Sequence, residues 1–296
     1  MKEKVTVGKI WGVIYPMLLY TGITLVITNL IAIILTIMVT LSGDMGDPNL
    51  IATKVTEGLY SQIMLVTLCS ALATLPFVIF FRYRDIQREK LNNRFKKYKR
   101  VFFLKYLLIV PFGILCMLSA NYFVSILTTI MPDFMTDSYQ DTAQAIYGTE
   151  IGVQILTAGI VGPVVEEMIF RGLIFNRIKK MSNVMAAALI SSILFGVYHG
   201  NWVQAPYAFI IGMVCVYVYE KYKSIAAPII LHMSANLLSV IVSSMVTITE
   251  TGENTVQISE LQQVSVYMVM TVVTGALAVG ISLIINKTVK PKEIHD

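Results

Sequence analysis

Apolar positions in this chain come in long unbroken runs, not in the spaced stripes of soluble amphipathic helices. Eight runs stand out, at roughly 10–41, 59–81, 104–131, 151–175, 184–200, 203–220, 225–246 and 264–286. Most approach or exceed the roughly 20 residues that cross a hydrocarbon core. The pattern predicts an all-α fold, a polytopic membrane helical bundle of about eight transmembrane helices. The fifth and sixth runs are short and meet at His199-Gly200-Asn201-Trp202, which predicts a tight hairpin. The first run is too long for the apolar part of a signal peptide and is expected to stay as an uncleaved first span.

Composition agrees. Of 296 residues, 56% are hydrophobic and 14% charged, against about 25% charged in an ordinary soluble domain; mean hydropathy is +0.71. Disorder and a disulfide-stapled secreted scaffold are both excluded. Cys69, Cys116 and Cys215 lie inside apolar runs with no CxxC pair and read as core or lipid-facing filler.

The net charge of +5 is spread at the ends of apolar runs and gathers in no basic domain. Nucleic acid is therefore not the expected partner; anionic lipid headgroups are. With the N-terminus inside, Lys2, Lys4, Lys9, the ten basic residues of 82–105, Arg177, Lys179, Lys180, Lys221, Lys223, Lys287, Lys290 and Lys292 all face the cytoplasm. Only Lys54 and Arg171 of the 23 basic residues do not. The opposite segments are acidic, with Asp44, Asp47, Glu57, Asp133, Asp137, Asp141, Glu150, Glu250, Glu253 and Glu260. Both termini are thus expected to be cytoplasmic, in a multi-pass cell-membrane protein. The 82–105 segment is expected to be a solvated loop or helix lying on the headgroups.

Three places break the apolar runs with costly chemistry. In the fourth run, Glu166 and Glu167 precede Arg171. Glu167 and Arg171 are four apart with the acid first, the favourable order for an ion pair on a helix. Glu166 points about 100° away and is left to face something else. The fifth run ends Phe195-Gly-Val-Tyr-His199, and the seventh carries His232-Met-Ser-Ala-Asn236. The third histidine, His295, is in the C-terminal tail. Each histidine alone reads as a satisfied interhelical group; a carboxylate pair, an arginine, two imidazoles and an amide together point to activation of water. Two routes stay open. Glu166, His199 and His232 can hold a Zn²⁺ with an open position, or Glu166 can act directly as general base on water. Asn236 and one histidine are candidates to stabilise an oxyanion. No Ser or Cys sits in a nucleophile motif. For the three groups to meet near mid-bilayer, the fifth helix should begin only near Ala186.

EExxxR, FxxxH and HxxxN in this order on successive membrane helices resemble the CPBP family, which groups type II CAAX-processing endopeptidases with bacteriocin-processing and bacteriocin-immunity (Abi) proteins. The resemblance covers roughly residues 150–245. It implies an intramembrane endopeptidase acting on membrane-associated or lipid-modified peptides and proteins: CAAX substrates, pheromones or bacteriocin leaders. It further implies that Glu166 activates the water, that His199 and His232 position it or bind metal, that Asn236 steadies the oxyanion, and that Glu167 and Arg171 support. On that basis 150–246 is the catalytic core, 1–149 a supporting set of spans with the basic segment, and 247–296 the last span and tail. A bacterial member would sit in the plasma membrane.

Two other functions fit parts of the pattern. A bacteriocin self-immunity or scaffold protein would keep a protease-like site without turnover. An ion transporter would also use intramembrane Glu and His, but needs polar residues through both halves of the membrane. A bis-histidine haem protein has no use for the Glu pair and Arg171.

Overall fold

A computed structural model describes residues 3–42, 47–249 and 259–294, the side chains of 245–249 excepted. Lys2, Asp44, Glu250, Glu253 and His295 lie outside the described residues. Among the described residues the chain forms ten helices: α1 Val7–Leu41, α2 Pro48–Ser61, α3 Ile63–Leu91, α4 Phe103–Ile130, α5 Asp133–Tyr147, α6 Ile151–Met181, α7 Val184–Tyr198, α8 Gln204–Tyr222, α9 Ala226–Thr249 and α10 Glu260–Thr288. Eight of them coincide with the eight apolar runs. Six (α1, α3, α4, α6, α9 and α10) are long and apolar enough to cross a membrane. The protein is an all-α polytopic membrane bundle.

The bundle turns many large apolar side chains outward, among them Leu25, Ile33, Val272 and Leu283. In water such a surface would drive aggregation; in lipid it is the expected exterior. Inside, one cluster gathers Ile169, Phe170, Leu173, Ile174, Phe175, Phe195 and Val216 around α6. A second joins α4, α8, α9 and α10 through Ile109, Ile211, Cys215, Leu231 and Ile285. Helix α6 therefore runs through the middle, and its Thr157, Glu167 and Arg171 are fully enclosed.

Helices α2 and α5 were not anticipated. Both are polar segments between spans, and their composition hid them from a search for apolar runs. Asp47 caps α2 by accepting from the Asn49 N–H, with Pro48 at the first helical position. The 82–105 segment is part helix and loop, as expected, and part strand, which was not expected. Helix α3 continues through Leu91, and Lys97–Tyr98 (β1) pairs antiparallel with Glu293–Ile294 (β2). Glu3 bonds to Arg94 and, through its N–H, to the carbonyl of Lys180. The two ends of the described chain thus meet at one end of the bundle, against the basic segment.

Candidate active site

The site is built on α6, which is not a plain α-helix. Residues 155–161 and 168–175 are π-helical, and a short α-helical stretch, Gly162–Glu167, lies between them carrying both carboxylates. π-helical turns are rare and cluster at functional positions. In the first one, the Gly162 N–H reaches back five residues to the Thr157 carbonyl. The next donor in that register would be residue 163, which is proline and has no N–H. Its acceptor, the Ala158 carbonyl, is instead bonded by Asn236 Nδ2 at 2.9 Å. Asn236 of α9 thereby replaces the proline's missing donor and ties α9 to α6. The second π-turn has a similar device: Asn176 Nδ2 donates to the Arg171 and Gly172 carbonyls at 2.6 and 3.1 Å, and lies 2.8 Å from the Tyr219 hydroxyl.

Glu167 and Arg171 form the buried ion pair at 2.8 Å, both side chains fully enclosed. Burying two charges is costly unless further bonds satisfy them. Arg171 Nη2 also donates to the Gly212 carbonyl at 3.0 Å, and its guanidinium lies over the Phe195 ring at 4.6 Å. Glu167 Oε1 has a second partner, His232 Nδ1, at 2.9 Å. An ionised carboxylate only accepts, so His232 carries its proton on Nδ1 and leaves an Nε2 lone pair on the opposite side of the ring. That Nε2 lies 3.8 Å from Glu166 Oε2. Glu166 is the more open of the two acids, with 21% of its side chain exposed.

His199 closes α7. Its Nδ1 lies 2.8 Å from the Phe195 carbonyl, which again leaves Nε2 free. Gly200 follows with φ +74°, a left-handed turn suited to glycine, and Asn201 Oδ1 accepts from the Gln204 N–H to start α8. The expected hairpin is present. Helix α7 begins at Val184, not near Ala186, because Asn183 caps it by accepting from the Ala186 N–H. Convergence does not come from a late start. It comes from Phe195, whose ring has His199 at 4.8 Å and His232 at 5.8 Å, both edge-on. His199 stands in the electrostatic field of Glu166, His232 and Arg171.

The structure therefore brings Glu166, Glu167, Arg171, Phe195 and His232 into one connected cluster with His199 at its rim. Asn236 is on the same helix as His232, one turn on, with its amide committed on one side to Ala158. The donor types suit Zn²⁺, and both imidazoles have a free Nε2. As arranged, however, no three His, Cys, Asp or Glu side chains among the described residues are grouped closely enough to hold a metal ion. The set Glu166, His199 and His232 does not fit a metal in this geometry, and no step below runs through one.

Several participants were not anticipated. Gly212 has no Cβ because one would stand 2.9 Å from Ser192 Cβ and 3.2 Å from Arg171 Nη2. A glycine inside the apolar run of α8 was the available signal. Asn176 and Tyr219 looked like ordinary helix-end polar residues and gave none.

A family model described as type II CAAX prenyl endopeptidase Rce1-like matches residues 149–238, the region just described. YdiL of Bacillus subtilis, a candidate membrane peptidase by its name, is 33% identical over 106 residues, 36% of this chain and 41% of its own length. The UPF0177 protein YxdF of Lactococcus lactis is 30% identical over 153 residues, 50% of this chain and 80% of its own length. The membrane-embedded CAAX protease MroQ of Staphylococcus aureus is 33% identical over 97 residues, 31% of this chain and 39% of its own length. The chain thus spans less than half of two of these relatives and most of the third. No solved structure matches. The motif order, the helices that carry it and these likenesses agree, and the chain belongs to the CPBP family of membrane proteins that carry the Rce1-like domain.

Proposed function

We propose that the protein is an intramembrane endopeptidase in which Glu166 is the general base. The observation that carries this reading is the 3.8 Å approach of Glu166 Oε2 to His232 Nε2, with His232 held from behind by Glu167. A water between those two acceptors donates one proton to each and points its lone pair outward, as a nucleophile must. Glu166 takes a proton as the water attacks the scissile carbonyl, and returns it to the leaving amine. Such proton transfer contributes about 10²–10⁴-fold in rate.

The oxyanion needs donors. With Nδ1–H on both rings, His232 and His199 offer lone pairs, not protons, so the second N–H of Asn236 is the neutral donor that the site supplies. His199 at the rim accepts from the substrate amide through its free Nε2. Glu167, Arg171 and Phe195 position this set and do not touch the reacting atoms.

The substrate class is a membrane-associated or lipid-modified peptide, as the family resemblance implies; the relative MroQ is named a membrane-embedded CAAX protease. Residues 150–246 form the catalytic core, with 1–149 and 247–296 in support. The basic end of the bundle, with both termini, lies in the cytoplasm. Peptidomics of membranes bearing wild-type protein or Glu166→Ala tests the reading. Peptides that appear only with wild type support it; identical peptide sets, with equal protein levels, refute it and favour an immunity or scaffold role.

A further inference from the structure

The end of the bundle where Glu3 and the β1–β2 pair lie holds a half-open cavity of about 1140 Å³, lined by eleven basic and four acidic side chains. Every one of those acids is already committed. Asp85 pairs with Arg177 at 2.7 Å, Glu89 with Lys180 at 2.6 Å, Glu220 with Lys179 and Lys223 at 2.6 and 2.7 Å, and Glu3 with Lys9 and Arg94 at 3.0 and 2.5 Å. Lys96 pairs outside this set, with Glu293 at 3.0 Å. Four cations on the wall remain without a carboxylate among the described residues: Arg82, Arg84, Arg88 and Lys97.

Arg82 is the informative one. Its Nη1 is buried and has no hydrogen-bond partner, and its Nη2 has only the Tyr219 hydroxyl at 3.5 Å. A buried donor without an acceptor is costly, more so on a charged group. Arg84, Arg88 and Lys97, by contrast, are exposed, and Arg84 has the Phe80 and Phe81 rings at 6.0 and 5.7 Å. The cavity thus has a half-satisfied guanidinium and exposed cations on its wall.

We propose that this vestibule binds a phosphate-bearing ligand, with Arg82 as its inner anchor and Arg88 and Lys97 closing on it from outside. A phosphate oxygen supplies the acceptor that Arg82 Nη1 lacks, and the planar guanidinium suits a tetrahedral anion through paired N–H donors. Two sources carry that chemistry, a phospholipid headgroup and a free phosphate compound. The inference stands apart from the endopeptidase reading, since none of its residues belongs to the Glu166 cluster.

The test uses full-length protein in phosphatidylcholine nanodiscs. Inorganic pyrophosphate is titrated calorimetrically, and phosphatidylglycerol retained through purification is counted by native mass spectrometry. Wild type should bind one probe or both, and which one identifies the source. Arg82→Gln should weaken that binding about tenfold, the loss expected for a charge-assisted bond, while Arg82→Lys keeps part of it. Arg88→Gln/Lys97→Gln changes exposed residues only and should also weaken binding, which preserves the test if Arg82→Gln misfolds. Binding of neither probe by wild type, or equal binding by wild type and the Arg88→Gln/Lys97→Gln variant, overturns the proposal.

Discussion

His232 Nδ1 lies 2.9 Å from Glu167 Oε1, the same oxygen that accepts from Arg171 at 2.8 Å. One carboxylate oxygen therefore pairs with a buried arginine and sets the tautomer of the imidazole that faces Glu166. The second acid of the pair orients the first acid's neighbour, which explains why adjacent carboxylates can coexist in an apolar bundle without competing for one role.

Glu167→Ala should be severely destabilising. It leaves Arg171 enclosed without its counter-charge, a loss of about 3–5 kcal/mol. Glu167→Gln keeps the shape but can present an N–H to His232 Nδ1 and shift the ring to the wrong tautomer. It keeps an oxygen to accept from Arg171 but not the counter-charge, so it should lower the unfolding midpoint less than Glu167→Ala and lose about 10–100-fold in activity in the protein that folds. Thermal unfolding in detergent separates the two effects.

Gly212→Ala tests the close approach of α8 to α6. An added Cβ meets Ser192 Cβ at 2.9 Å and Arg171 Nη2 at 3.2 Å. Neither neighbour can retreat, since Ser192 is enclosed and Arg171 is fixed by Glu167. The expected cost is about 1–3 kcal/mol, read as a lower midpoint in thermal unfolding. A midpoint equal to wild type would show that α8 has room to move.

Asn236→Ala and Asn236→Asp both remove the Nδ2 donor, and with it the bond to the Ala158 carbonyl and the proposed oxyanion donor; Asn236→Asp keeps the side-chain size. Both should lower kcat by about 10²–10³-fold, the usual cost of one oxyanion donor. KM should change little for Asn236→Asp. A rise in KM with kcat intact would assign Asn236 to substrate binding.

How much of this could be read from the residues alone depends on what each feature rests on. The eight apolar runs mark helices because hydrocarbon demands length and apolarity, and both are written locally. The i,i+4 spacing of Glu167 and Arg171 is equally local. The partners of the two π-turns are not. That Asn236 serves Ala158 depends on a register change in α6 that only the missing N–H of Pro163 hints at, and on how α9 packs. Helices α2 and α5 escaped because they are polar. The bond between Glu167 and His232 crosses 65 positions of sequence, and nothing in either segment says which acid faces which imidazole.

The N-terminal contact gives a pH prediction. The hydrogen bond from Lys9 comes first among the effects that hold the Glu3 carboxyl below the usual glutamate range; Arg94 and Lys180 add to it, and partial burial opposes it. A carboxyl lowered on folding stabilises the contact fully above the ordinary glutamate value of about 4.3. That contribution is lost as pH falls through the lowered value. Hydrogen-exchange protection factors in the first turn of α1 and in 94–98 should therefore hold steady from pH 8 to about 5 and fall only in stronger acid. Glu3→Gln should lower them across the neutral range and make no difference in strong acid, where Glu3 is protonated.

The most direct test of the central claim is the rate of peptide hydrolysis by purified Glu166→Gln in nanodiscs, on a fluorogenic peptide bearing a cleavage sequence found by membrane peptidomics. Glutamine keeps the size of Glu166 and removes its basicity, so folding should be unchanged while kcat/KM falls by about 10²–10⁴-fold. A Glu166→Gln protein that cleaves the peptide at the wild-type rate would contradict the account.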